Sequence, residues 1–107
     1  MQADRFVLTC MGKPPARADI RRALGKTVRS LRLKTGMAQE RLALESGIDR
    51  GYMGALERGV HSPTIETIYK LLPYLNVSFV EFAGEVDRIL RPIQRPISLR
   101  KGPGNRS

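Results

Sequence analysis

Apolar residues recur along this chain at helical spacing, three or four positions apart, and not in strict alternation. Ile20, Leu24, Val28 and Leu31 share one face of a first helix predicted over about 19–35, with Arg21, Arg22, Lys26, Arg29 and Lys34 largely outside that stripe. Gly36 supplies its C-cap. A second helix, about 38–46, turns Leu42 and Ala43 inward. Gly47 makes the next corner, because a tight helix–helix turn wants a positive φ, and Ile48 plugs inward. Asp49 is a good N-cap for a third helix over about 50–58 with Met53 and Leu56 inward; Gly59 closes it. Ser62-Pro63-Thr64 opens a fourth helix with Pro in its first turn, and Ile65, Ile68, Leu71, Leu72 and Leu75 form its apolar face. Pro73 should remove one backbone hydrogen bond there and kink or end the helix early, while Asn76 suits a left-handed cap. Ser78 and Glu81 have capping-box spacing. They predict a fifth helix over 79–91 with Phe79, Phe82, Ala83, Val86, Ile89 and Leu90 on one face, stopped by Pro92.

The prediction is an all-α, compact five-helix domain over 19–91 with no sheet. Residues 1–18 read as a flexible N-terminal arm: the apolar run over 6–11 suits a short strand or a segment that docks on a partner subunit, and Pro14-Pro15 blocks a helix. Residues 92–107 carry three prolines, two glycines and four basic residues without an acid, a composition for a basic, disordered tail.

Composition sharpens this picture. Trp is absent and aromatics are 6% of the chain, so Leu, Ile and Val must fill the core. The net charge of +9 favours an anionic partner, nucleic acid or membrane. That charge is unevenly placed: residues 13–35 carry +7, residues 37–86 carry −3 and residues 87–107 carry +5. No apolar run approaches the length of a membrane span, and the run over 6–11 is too short for a signal-peptide core and lacks a basic leader. A cytoplasmic protein without a membrane partner is expected. Cys10, the only cysteine, forms no intrachain disulfide and no zinc pair. The single His and single Cys lie in different segments, and neither a phosphate-cradling glycine loop nor a carboxylate constellation is present. No enzyme, no cofactor and no metal site is expected.

The stretch over 39–59, QERLALESGIDRGYMGALERG, closely resembles the Cro and phage-repressor (XRE) class of helix-turn-helix proteins. The resemblance runs over about 24–82 and is carried by LRLKTGMAQ (31–39), RLALESGI (41–48), LERG (56–59) and SPTIETI (62–68). Within that class, Asp49-Arg50-Gly51-Tyr52-Met53 followed by Leu-Glu-Arg is similar to the controller proteins of restriction–modification systems. The resemblance implies a phage-repressor-like fold and a homodimer that binds double-stranded DNA to regulate transcription, with the third helix in the major groove. It further implies that Gln39 binds a phosphate, that Arg58 and His61 lie near the DNA backbone, and that Arg32 and Glu57 form a partly buried salt bridge.

The residues themselves fit such a role. Arg50, Gly51, Gly54 and Ala55 are expected on the free face near the start of the third helix, where side chains reach base edges. Arg50 suits a bidentate contact to guanine. Gly51 and Gly54 offer no polar groups; they either permit close approach to DNA or are tolerated on a short exposed helix. Tyr52 suits packing, a phosphate or a base. A helix so poor in base readers raises the share of shape readout. Val86, Ile89 and Leu90 are the expected dimerisation face, with the 6–11 arm as a second contributor. The alternative function is an antitoxin, or another protein-interaction module, whose arm or tail binds a partner protein.

Overall fold

The computed structural model describes residues 14–92, so the readings made for residues 1–13 and for the tail after Pro92 lie outside it. Five helices follow in order: α1 (Arg17–Thr35), α2 (Gln39–Ser46), α3 (Arg50–Glu57), α4 (Ile65–Leu75) and α5 (Phe79–Leu90). No strand occurs among the described residues.

The helix α1 begins two residues before the expected start, so Arg17 and Ala18 belong to it and not to the arm. Its N-cap, Ala16, has no capping side chain; the Ala16 carbonyl accepts the N–H groups of Asp19 and Ile20 instead. Asp49 caps α3 by accepting the Tyr52 N–H at 3.0 Å. The start of α4 differs from expectation. Thr64 is the N-cap, accepting the Thr67 N–H at 3.1 Å, and Pro63 precedes the cap without entering the first turn. Pro73 does not shorten α4, which runs on to Leu75 and closes at Asn76 with φ 61°. The bond Pro73 cannot make is to the Tyr69 carbonyl. Both residues are exposed, so the missing bond falls on the solvent side of the helix and not in the core. The capping box of α5 is complete: Glu81 N–H donates to Ser78 Oγ at 3.1 Å, and Ser78 N–H donates to Glu81 Oε1 at 2.8 Å.

The core gathers Val28 and Leu31 from α1, Leu42 and Ala43 from α2, Met53 and Leu56 from α3, Ile68, Leu71, Leu72 and Leu75 from α4, and Phe82 from α5. Thr27 is also fully buried, its hydroxyl satisfied by donation to the Ala23 carbonyl at 2.8 Å. The two C-terminal helices bury less than their periodicity predicts. Ile65 is 56% exposed, Ala83 is exposed, and Phe79, Val86 and Ile89 are half-buried. One apolar stripe per helix suffices for so small a core, so the outer part of each stripe is left over. Leu24, Pro63, Ile65, Phe79, Ala83 and Val86 line the resulting shallow apolar groove.

The placement of α3 depends on a residue absent from the sequence reading. A Cβ on Gly25 would sit 2.5 Å from the Leu56 carbonyl oxygen and 2.7 Å from that of Glu57. The backbone of α3 therefore rests directly on α1, and any side chain at Gly25 would push the two helices apart.

Candidate nucleic-acid interface

The corner between α2 and α3 is set by three neighbouring residues. Gly47 takes φ 75°, Ile48 N–H donates to the Ala43 carbonyl at 3.0 Å, and Asp49 caps the next helix. This leaves the first turn of α3 facing outward. Arg50 and Gly51 are exposed and Tyr52 is half-buried. A Cβ on Gly51 would approach Asp49 Oδ2, the capping oxygen, to 3.2 Å, so the missing side chain keeps the cap clear.

Gly54 and Ala55 are not on the free face. Ala55 is 7% exposed and Gly54 is buried beneath the side chains of Arg58 and Gln39. The cause is that α3 packs on α1 and on α2 together, so its open face shrinks to the N-terminal turn.

At the junction of α1, α2 and α3 lies a buried polar hub. Glu57 accepts Arg32 Nε–H at 2.7 Å and Arg32 Nη2–H at 2.9 Å, a bidentate pair, and accepts Gln39 Nε2–H at 3.0 Å. Arg32 Nη1 donates to the Met37 carbonyl at 2.9 Å. The two charged side chains are only 9% and 2% exposed. Hydrogen bonding to Glu57 raises the pKa of Arg32, outweighing the burial that would lower it. The pair expected between Arg32 and Glu57 is thus present, and Glu57 also fixes the amide of Gln39.

The loop after α3 is tied back by aromatic stacking. The Tyr52 and His61 rings stack at 5.5 Å between centroids and 11° between planes. Tyr52 and His61 therefore share one ledge beside the first turn of α3. Arg58, the C-cap residue, is exposed. Of the expected dimerisation residues, Val86 and Ile89 are half-buried, whereas Leu90 is 9% exposed and already packed within its own chain.

Sequence reasoning missed Glu40. Its carboxylate forms an ion pair with Arg50, linking the first turn of α2 to the first turn of α3. In sequence, an acid there reads only as a favourable charge at a helix N-terminus. The signal was available in the corner itself, which brings two helix starts side by side. Among the described residues, no His, Cys, Asp and Glu cluster could hold a metal, and no helix is long and apolar enough to cross a membrane.

A family model described as helix-turn-helix (HTH_3) matches residues 28–82. The chain is 38% identical over 69 residues to the uncharacterized HTH-type transcriptional regulator y4dJ of Sinorhizobium fredii (strain NBRC 101917 / NGR234), covering 64% of this chain and 90% of that protein. It is 40% identical over 60 residues to the control protein C.SmaI of Serratia marcescens, covering 56% of this chain and 71% of that protein. Among solved structures, the restriction–modification controller protein C.Esp1396I, as a tetramer in complex with its natural 35 base-pair operator, superposes with a TM-score of 0.61. The sequence identity is 32%, over 67% of this chain and 96% of that one. The family match begins at Val28 and ends at Phe82, both buried in the core, and this chain belongs to the helix-turn-helix family.

Proposed function

We propose that this protein is a cytoplasmic transcription regulator that binds duplex DNA sequence-specifically as a homodimer and acts by binding, without catalysis. The observation that carries this reading is the outward first turn of α3, with Arg50 and Gly51 exposed beside the Glu57-held Gln39. A helix presented by its N-terminal turn fits the major groove, and Gln39 at the start of α2 supplies a phosphate anchor. One such helix touches few base pairs. Two copies on a two-fold operator, with half-sites about 10 bp apart, double the contact. The likeness to controller proteins favours this reading over an antitoxin acting through its arm or tail.

In this reading Arg50 reads a base and Glu40 tempers it. An exposed ion pair contributes about 0–1 kcal/mol, less than the roughly 1–3 kcal/mol of a bidentate guanine contact. Arg50 can therefore leave Glu40 for the right base while gaining little from an arbitrary phosphate.

Two variants test this by gel-shift titration on operator and scrambled duplexes. Arg50→Ala should weaken operator binding by about 1–3 kcal/mol per half-site and relax preference at one base pair in each. Equal losses on both duplexes would demote Arg50 to a phosphate contact. Glu40→Gln should strengthen scrambled-duplex binding more than operator binding, lowering the specificity ratio by about two- to fivefold, within the worth of an exposed pair. An unchanged ratio would leave Glu40 as a helix-start charge and nothing more.

A further inference from the structure

Gly54 is buried, yet what covers it is polar. A Cβ built there would lie 3.1 Å from Arg58 Nη1 and 3.5 Å from Gln39 Oε1. No backbone requirement explains the glycine: it sits inside α3 and is not among the residues with positive φ. Alanine would be the better helix former at such a position. The reason for glycine therefore has to be spatial.

Arg58 stands four residues after Gly54, so its side chain, which points back toward the helix N-terminus, passes over that position. Its guanidinium lies along α3 and ends beside the amide of Gln39, both groups within 3.5 Å of the same point. Glu57 does not draw Arg58 away, because Arg32 occupies both of its carboxylate oxygens and Gln39 adds a third bond. Arg58 thus forms no salt bridge among the described residues. Among the described residues no hydrogen bond uses its side-chain donors, and Gln39 gives one of its two amide N–H groups to Glu57.

We propose that Gly54 is a positioning residue: its missing side chain seats the Arg58 guanidinium beside Gln39, so that the two side chains clamp a single DNA phosphate. This rests on the DNA-binding reading above. In the clamp, Gln39 is oriented by Glu57 and Arg58 by the surface of α3, so both arms are set before DNA arrives. A side chain at position 54 would lift Arg58 off that surface and leave the fold intact.

The test uses the full chain and its selected operator duplex. Gly54→Met should melt no lower than the wild type, bind the operator about tenfold more weakly, and flatten the plot of log affinity against log salt by about two units, the loss of one phosphate contact from each subunit of the dimer. Arg58→Ala should give the same affinity and slope, and the double variant should be no worse than either single one. An unchanged salt slope in a folded Gly54→Met protein overturns the inference. Losses that multiply in the double variant also overturn it, since position 54 would then act on DNA without Arg58. Should Gly54→Met fail to fold, Gly54→Ala is read in its place, with about a threefold loss expected from a contact that must yield by a few tenths of an ångström; full wild-type affinity refutes the seat. A wild-type chain that selects no duplex at all defeats the DNA-binding reading itself, a result distinct from these.

Discussion

Replacing Glu57 by alanine is expected to lower folding stability by about 3–5 kcal/mol, the effect of stranding one member of a buried ion pair. Glu57 is 2% exposed and carries three hydrogen bonds, two from Arg32 and one from Gln39. Its removal leaves the Arg32 guanidinium buried with only the Met37 carbonyl as partner. A lysine in that position could shed its proton; an arginine cannot, so the charge stays and its desolvation is uncompensated. Against a total of about 5–15 kcal/mol for a domain, a loss of this size removes a large share of the stability. Replacing both partners by apolar residues of similar volume, Arg32→Met with Glu57→Leu, should destabilise far less, because no stranded charge remains. Urea melts of the two single and the double variants close the cycle. Simple additivity of the single effects would mean that the two residues do not act as a pair. The double variant, even if well folded, should bind DNA poorly, since Gln39 loses the carboxylate that orients it.

Operator affinity should fall by about 10²–10⁴ when Val86→Asp and Ile89→Asp are combined, the loss expected when two linked half-site contacts become two independent ones. The choice of residues follows from burial. Val86 and Ile89 are half-buried in the single chain, so a carboxylate at either position still reaches water and the five-helix core persists. Leu90, although part of the same apolar stripe, is 9% exposed and is left intact, because an aspartate there would attack the fold and not the assembly. The stripe adjoins the groove lined by Leu24, Ile65, Phe79 and Ala83, apolar surface that one chain leaves open to water. Sedimentation equilibrium should report a folded monomer. A dimer that survives both substitutions would place the subunit contact elsewhere, with the segment over 6–11 the next region to vary.

The helices were legible because each carries its signals locally. The Ser78–Glu81 box, the Asp49 cap and the left-handed Asn76 act within one turn, and all three appear in the structure. The pair of Arg32 and Glu57 was legible only through resemblance, since 25 residues separate the two and no spacing rule connects them. What stayed hidden depends on how helices approach one another. Gly25 looks like a weak point in a helix until the Leu56 and Glu57 carbonyls are seen against it. Gly54 and Ala55 looked free because a helical wheel shows the direction of a side chain but not how many neighbours flank the helix. Ile65 looked buried because periodicity marks apolar faces without saying whether a single chain can cover them.

The two ends of α3 are held very differently. Its last turn rests on Gly25 and is locked by Arg32, whereas its first turn carries Arg50 and Gly51 with no core contacts. A substitution at Arg50 should therefore cost folding little, within the few tenths of a kcal/mol typical of surface positions, whereas a side chain at Gly51 crowds the Asp49 cap. On the proposed reading of Arg50 as a base contact, such a division lets the preferred target be varied in the laboratory at that one codon while the scaffold is left alone.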